Sequence, residues 1–137
     1  MFKFIERYKQ FTVYLPLTVY WVTLFVFTSL PAAKLPNVGV NDKIEHLSAF
    51  FGLGFLLNLM FSYQETNQFL KKHFNLGTIA LGLLYGAFDE LHQKLVPGRS
   101  CDFYDWVSDS TGILIAVVCL FLVRKLSDVT SKAQALK

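Results

Sequence analysis

The sequence predicts an all-α membrane protein: a polytopic bundle of four transmembrane helices, formed by a single domain over residues 1–137. Two observations support this prediction. Apolar residues make up 53% of the 137-residue chain and charged residues only 17%, a composition too apolar for a soluble domain of this size. These apolar residues also come in four blocks, each long enough for the ~20-residue helix that crosses a bilayer.

The four blocks run approximately over residues 11–30, 44–63, 76–96 and 106–123. The first block has no charged residue, and Pro16 and Pro31 fit a tolerated kink and a helix end. Basic residues precede it, as in a signal peptide, but its apolar stretch is longer than a usual signal sequence, so we expect a retained helix. The second and fourth blocks have charged residues near their starts, and the third has them near its end.

The distribution of lysine and arginine predicts the orientation, because these residues are enriched on the cytoplasmic side of membrane proteins. Nine lie on one side of the predicted bundle: Lys3, Arg7, Lys9, Lys71, Lys72, Arg124, Lys125, Lys132 and Lys137. Four lie on the other side: Lys34, Lys43, Lys94 and Arg99. We therefore expect both termini in the cytoplasm and the loops 31–41 and 96–104 outside. The net charge of +3 reflects this bias and does not indicate nucleic-acid binding.

Three polar clusters interrupt the apolar blocks. They are Asp42–His46, Asp89–Gln93 and Pro97–Asp102, the last of which continues to Asp105 and Asp109. An Asp or Arg at the centre of a membrane helix costs about 2.5–3.5 kcal/mol on insertion scales. In the predicted topology all three clusters lie at the outer face of the membrane. Their shared depth predicts one composite site.

These clusters also resemble a known family, the VanZ-like small membrane proteins of bacteria. Four motifs support the resemblance: D-K-I-E-H at Asp42–His46, D-E-L-H-Q at Asp89–Gln93, V-P-G-R at Val96–Arg99 and D-W-V-S-D-S-T-G at Asp105–Gly112. The family takes its name from a glycopeptide-resistance protein. The resemblance therefore implies the bacterial cytoplasmic membrane and a link to the cell envelope, and it implies no particular reaction.

The residue types at the clusters indicate an anionic ligand. Arg99 follows a Pro-Gly turn, and a guanidinium group binds phosphate or carboxylate through its planar fork. We expect the ligand to be the phosphate-bearing headgroup of a membrane lipid or a lipid-linked envelope precursor. The candidate binding residues are Arg99, Gln93, Asp42, Asp105 and Asp109.

Acid–base and metal chemistry both fit the same set of residues. The candidate general acids and bases, for hydrolysis or transfer of the headgroup, are Asp89, Glu90, His46 and His92. A divalent metal could bridge the carboxylates to an anion. Its candidate ligands are Asp42, His46, Asp89, Glu90 and Asp105.

Two other functional classes remain open beside an enzyme: a non-catalytic lipid binder or carrier, and a structural partner subunit. Several of the polar residues also have purely structural explanations. Asn41 or Asp42, and Asp102 or Asp105, could cap the helices that follow them. Arg99 could pair with Asp89 or Glu90 and lock the bundle. Such a lock would leave the two histidines, Gln93 and the remaining aspartates unexplained.

Overall fold

The computed structural model describes residues 2–34, 39 and 41–135. The described residues form six α-helices and no β-strand, which confirms the all-α prediction. The helices are α1 (Phe2–Arg7), α2 (Leu15–Thr28), α3 (Asp42–Tyr63), α4 (Gln68–Lys72), α5 (Phe74–Gln93) and α6 (Phe103–Ala135). A π-helical turn, Gln10–Tyr14, leads into α2, and a 3-10 turn, Ala32–Lys34, follows it.

Three segments are long and apolar enough to cross a membrane: Gln10–Thr28, Asp42–Tyr63 and Phe103–Ala133. They correspond to the first, second and fourth predicted blocks, so the chain is a multi-pass membrane protein. The third block forms α5, which has 20 residues but is not among these candidate spans in the described part of the chain. The polar residues of its last two turns, from Asp89 to Gln93, lower its mean hydropathy.

Two helix boundaries differ from the sequence prediction. Helix α5 ends at Gln93 rather than near residue 96, ahead of the turn at Pro97 and Gly98. Gly98 has a φ of +77°, a left-handed conformation that favours glycine. Helix α6 continues to Ala135 instead of ending near residue 123, because the sequence after the apolar block contains no Pro or Gly to stop it.

Side-chain caps explain where α3 and α6 begin. The Asn41 side chain accepts a hydrogen bond from the Lys43 N–H at 2.9 Å, at the start of α3. Asp102 Oδ1 accepts from the Tyr104 N–H at 2.8 Å, at the start of α6. These caps satisfy backbone donors that have no partner within the helix. Asn41 and Asp102 therefore perform the capping, and neither contact uses the side chains of Asp42 or Asp105.

The four long helices, α2, α3, α5 and α6, alternate in direction and enclose an apolar core. The buried residues of the main cluster are Leu17, Phe50, Leu53, Leu57 and Ile113. Two contacts between each pair of helices give the directions. Helices α2 and α5 run the same way, with Trp21 beside Tyr85 and Phe25 beside His92. Helices α3 and α6 also run the same way, with His46 beside Asp109 and Ser62 beside Arg124. Helix α5 runs opposite to α3, since Gly77 lies beside Phe61 and Gly86 beside Phe50. In this arrangement the first turns of α3 and α6 meet the last turns of α2 and α5 at one end of the bundle.

The backbones of α3 and α6 approach each other closely at Gly112. A Cβ atom on Gly112 would lie 2.8 Å from the Phe51 backbone nitrogen and would also clash with the Leu47 carbonyl oxygen. Only a residue without a side chain permits this contact between the two backbones. At the site end of these helices their first turns, which contain the candidate acids Asp42 and Asp105, are also in contact, through Lys43 and Asp105.

Candidate functional site

A pocket of about 410 Å³ opens at the end of the bundle where α3 begins and α5 ends. Its polar lining consists of Thr28, Asp42, Glu45, His46, Asp89, Gln93 and Arg99. Its apolar lining consists of Leu24, Phe27, Ala49 and Phe50. Members of all three polar clusters of the sequence therefore meet around one cavity, together with apolar residues of α2.

His46 lies at the centre of the polar groups and connects three helices. It is 9% exposed, and its Nδ1 lies 2.9 Å from Asp109 Oδ1 on α6. The same nitrogen is 3.9 Å from Glu90 Oε1 on α5, and Nε2 is 4.0 Å from Asp42 Oδ1 one turn earlier on α3. His46 thus lies within 4.0 Å of three carboxyl groups.

Glu90 connects the site to the loop before α6. One of its oxygens, Oε2, accepts a hydrogen bond from the Asp102 N–H at 2.8 Å. The other oxygen, Oε1, has no hydrogen-bond partner in the described structure although the side chain is only 3% exposed. Asp109 is similar, since Oδ1 contacts His46 while Oδ2 is buried without a partner. Each unpaired buried acceptor typically costs about 1–3 kcal/mol, so these oxygens are suited to a ligand.

Asp89 and Gln93 form a second pair on α5. Gln93 Nε2 donates to Asp89 Oδ2 at 2.9 Å, across one helical turn. Both side chains are buried, at 1% and 2% exposure, and both line the pocket. The remaining oxygen of Asp89, Oδ1, has no hydrogen-bond partner among the described residues. Asp89, at the wall of the cavity, therefore has one buried carboxylate oxygen that no described donor satisfies.

Lys43 has a role that the sequence analysis did not assign. Its Nζ lies 2.7 Å from Asp102 Oδ2 and also contacts Asp105 Oδ1. The hydrogen bond from Lys43 lowers the pKa of Asp102. Because Asp105 is 5% exposed and paired with this lysine, its charge is compensated within the protein. The only sequence signal was the position of Lys43 inside the polar cluster that begins α3.

Arg99 forms no ion pair in the described structure. Its guanidinium donates to the Phe27 carbonyl oxygen at 3.4 Å, and Nε has no hydrogen-bond partner among the described residues. Within the described ranges, no carboxylate oxygen lies within 4.0 Å of its guanidinium nitrogens, so the suggested lock with Asp89 or Glu90 is wrong. The turn after α5 instead directs Arg99 to the end of α2, where it lines the pocket.

His92 is the one candidate general acid or base that the structure separates from the others. Its ring stacks on Phe25 with a centroid distance of 5.0 Å and lies 6.1 Å from the ring of Phe88. It is not part of the pocket lining. His92 directly precedes Gln93, and a step of one residue on a helix turns the side chain to another face. We therefore assign His92 to packing between α2 and α5.

Two sets of side chains are close enough to bind a metal ion. They are Asp42 with His46 and Asp105, and His46 with Glu90 and Asp109. Within each set the candidate ligand atoms all lie within 4.8 Å of one another. Asp109, which the sequence suggested only as a binding residue, belongs to the second set. Asp89, suggested as a metal ligand, belongs to neither set among the described residues.

A second set of polar side chains lies at the opposite end of the bundle, and the sequence analysis did not identify it. Asn58 is fully buried, and its Nδ2 donates to Asn75 Oδ1 at 2.9 Å and Thr78 Oγ1 at 3.3 Å. Nearby, Arg124 donates to Ser62 Oγ at 3.1 Å. A single Asn within a long apolar block is a weak signal, which is why the sequence did not reveal this contact between α3 and α5.

The fold and its apolar helices define the class: a multi-pass helical membrane protein with a polar site at one end of the bundle. The chain belongs to the VanZ-like family, since the family model described as VanZ/LLP1 matches residues 1–124. This match confirms the resemblance found in the four motifs and links the chain to envelope proteins of the glycopeptide-resistance type. No curated protein and no solved structure matches the chain significantly.

Proposed function

We propose that this chain is a protein of the bacterial cytoplasmic membrane whose pocket binds the phosphate-bearing headgroup of a lipid or lipid-linked envelope precursor. The observation that supports this most is Arg99. It lines the pocket, its Nε has no hydrogen-bond partner in the described structure, and no carboxylate there neutralises its charge. An unpaired guanidinium beside a cavity is suited to a phosphate group, which it binds through two parallel hydrogen bonds.

The apolar half of the pocket supports a lipid rather than a free anion. Leu24 and Phe27 of α2 line the cavity together with Phe50 of α3. The neighbouring surface of α2 is apolar and exposed, with Val22 at 57% and Val26 at 50% exposure. An acyl or prenyl chain could extend along this surface into the bilayer while its headgroup occupies the polar half of the pocket.

The proposal includes four membrane spans and an outward-facing site. Helix α5 packs against α3 and α6 along its length, and its 20 residues would extend ~30 Å, about the thickness of the hydrocarbon core. Its polar residues face the bundle, where the membrane tolerates them. The distribution of basic residues, nine against four, favours cytoplasmic termini and an external pocket.

Maleimide labelling tests this orientation. Cys101 is exposed in the loop between α5 and α6, whereas Cys119 lies within the apolar span of α6. We expect a membrane-impermeant maleimide to label the protein in intact cells at Cys101, because a thiol within the bilayer forms little reactive thiolate. The Cys101→Ser variant should abolish the labelling. Labelling of Cys101 only after the cells are opened would place the pocket on the cytoplasmic side.

Substitution of Arg99 tests the headgroup site. We expect Arg99→Gln to weaken the binding of phosphatidic acid at least tenfold, measured by native mass spectrometry or calorimetry in detergent. Charged hydrogen bonds typically contribute about 1.5–3 kcal/mol, and about 1.4 kcal/mol corresponds to a factor of ten in affinity. Arg99→Lys should retain part of the affinity, since it keeps the charge and loses the planar fork.

Arg124→Gln is the matched control for this experiment. Arg124 is also partly buried, but it lies at the other end of the bundle, beside Ser62 and Phe74. Its substitution should leave phosphatidic acid binding unchanged, and diacylglycerol, which lacks the phosphate, should bind the native protein much more weakly. Equal binding by native protein and Arg99→Gln, or equal affinity for both lipids, would contradict the proposed function.

A further inference from the structure

His46, Glu90 and Asp109 bring three donor atoms from three different helices to one place. Their candidate ligand atoms lie within 4.8 Å of one another, and all three side chains are at most 9% exposed. Metal ions bound by one imidazole and carboxylates have ligand bonds of about 2.0–2.2 Å, so ligands around one ion lie roughly 3–4 Å apart. Small side-chain rotations would bring the three donors to that separation.

The unsatisfied oxygens of this cluster are a separate observation that points to a ligand. Glu90 Oε1 and Asp109 Oδ2 have no hydrogen-bond partner in the described structure, on side chains that are 3% and 1% exposed. Glu90 Oε1 lies 3.9 Å from His46 Nδ1, too far for a hydrogen bond. Buried carboxylate oxygens without donors are normally satisfied by a cation or a bound donor.

In the described structure, His46 is the only basic side chain that lies within 4.0 Å of Glu90 or Asp109. Among the described residues, the buried acids at this end of the bundle are Asp89, Glu90, Asp105 and Asp109. Lys43 pairs with Asp102 and Asp105, and Arg99 contacts no carboxylate in the described ranges. Buried charges normally pair with an opposite charge or coordinate a metal. A divalent cation would balance the two carboxylates of Glu90 and Asp109 while His46 stays neutral.

We propose that His46, Glu90 and Asp109 bind one divalent first-row cation, Zn²⁺ or Mn²⁺, at the inner wall of the pocket. The imidazole favours these ions over Mg²⁺ and Ca²⁺, which prefer ligand sets made entirely of oxygen. His46 also lines the pocket, so the ion lies where it can contact the phosphate of a bound headgroup. This second role, as a bridge between the acidic wall and the phosphate, rests on the proposed function.

Cation binding is tested without any lipid. The purified full-length protein, stripped with EDTA in detergent, is titrated with ZnCl₂ and MnCl₂ by calorimetry, and Mn²⁺ is also followed by electron paramagnetic resonance. We expect one ion per chain and at least tenfold weaker binding of Mg²⁺. Glu90→Gln should weaken binding at least tenfold while keeping an oxygen that can accept from the Asp102 N–H. Glu45→Gln, which alters an exposed acid of the same pocket, should bind like the native protein.

Two separate measurements test whether the ion binds and whether the bound ion bridges to the phosphate. Absence of saturable Zn²⁺ or Mn²⁺ binding, or equal binding by Glu90→Gln and Glu45→Gln, would overturn the ion site even if phosphatidic acid still binds through Arg99. Phosphatidic acid is then titrated with and without Mn²⁺, and we expect at least tenfold tighter binding with the ion. Cation binding that leaves this affinity unchanged would overturn the bridge and leave the ion site in place.

Discussion

Replacing Gly112 with alanine is expected to force α3 and α6 apart and to lower the free energy of unfolding by about 1–3 kcal/mol, the usual range for overpacking. The added Cβ would lie 2.8 Å from the Phe51 nitrogen and would clash with the Leu47 carbonyl oxygen. Both are backbone atoms inside α3, so no side-chain rotation relieves the clash. Thermal unfolding in detergent measures the effect.

Gly77→Ala is the matched control on α5. Its added Cβ would meet the ring of Phe61 at 3.3 Å, and a side chain can shift by a few tenths of an ångström. Alanine also favours a helix over glycine by about 1 kcal/mol, so this variant should be nearly as stable as the native protein or slightly more stable. If the two variants have the same melting temperature, α3 and α6 do not approach at Gly112 as described.

The sequence was sufficient to predict the four long helices, α2, α3, α5 and α6, but not the short helices α1 and α4. Continuous apolar blocks predict spanning segments directly, because a bilayer requires about 20 apolar residues in one helix. Three spans and the all-α class follow from this argument. Helix α5 is harder to predict as a membrane span, since its Asp89–Gln93 cluster lowers its hydropathy. Its packing against α3 and α6 provides a buried environment for those residues.

The sequence predicted where the polar site lies in the bundle much better than it predicted which side chains pair with each other there. Shared depth in the membrane indicated that the three clusters would meet. Which acid or carbonyl each charged side chain contacts depends on the rotation of each helix about its axis and on the path of the loop before α6. For this reason the sequence did not reveal that Lys43 pairs with Asp105, and the alternative in which Arg99 pairs with Asp89 or Glu90 gives way to a contact with the Phe27 carbonyl.

The contact between His46 and Asp109 is another pair that the sequence did not predict. The two residues are 2.9 Å apart in space and lie on different helices, α3 and α6. Asp42 lies one turn from His46 within α3, yet the distance between their side chains is 4.0 Å. The stronger contact depends on the close approach at Gly112, and one sequence gives no measure of that distance.

Substitution of His46 by alanine should separate a binding site from a structural role. We expect phosphatidic acid binding to fall at least tenfold, because His46 lines the pocket and is the only described side chain within hydrogen-bond distance of Asp109 Oδ1. Stability should also fall, by about 1–3 kcal/mol, since Asp109 loses a buried partner. Gln93→Ala, which leaves Asp89 Oδ2 without its 2.9 Å hydrogen bond, should behave in the same way.

Because both variants lose some stability, a control must lose stability without touching the pocket. Asn58→Ala meets this requirement: Asn58 is fully buried, bonds Asn75 and Thr78, and lies at the other end of the bundle. We expect a similar decrease in melting temperature with unchanged phosphatidic acid binding. If Asn58→Ala loses as much binding as His46→Ala, the loss reflects folding alone. If His46→Ala and Gln93→Ala bind like the native protein, these residues stabilise the bundle, and a structural partner subunit becomes the better explanation.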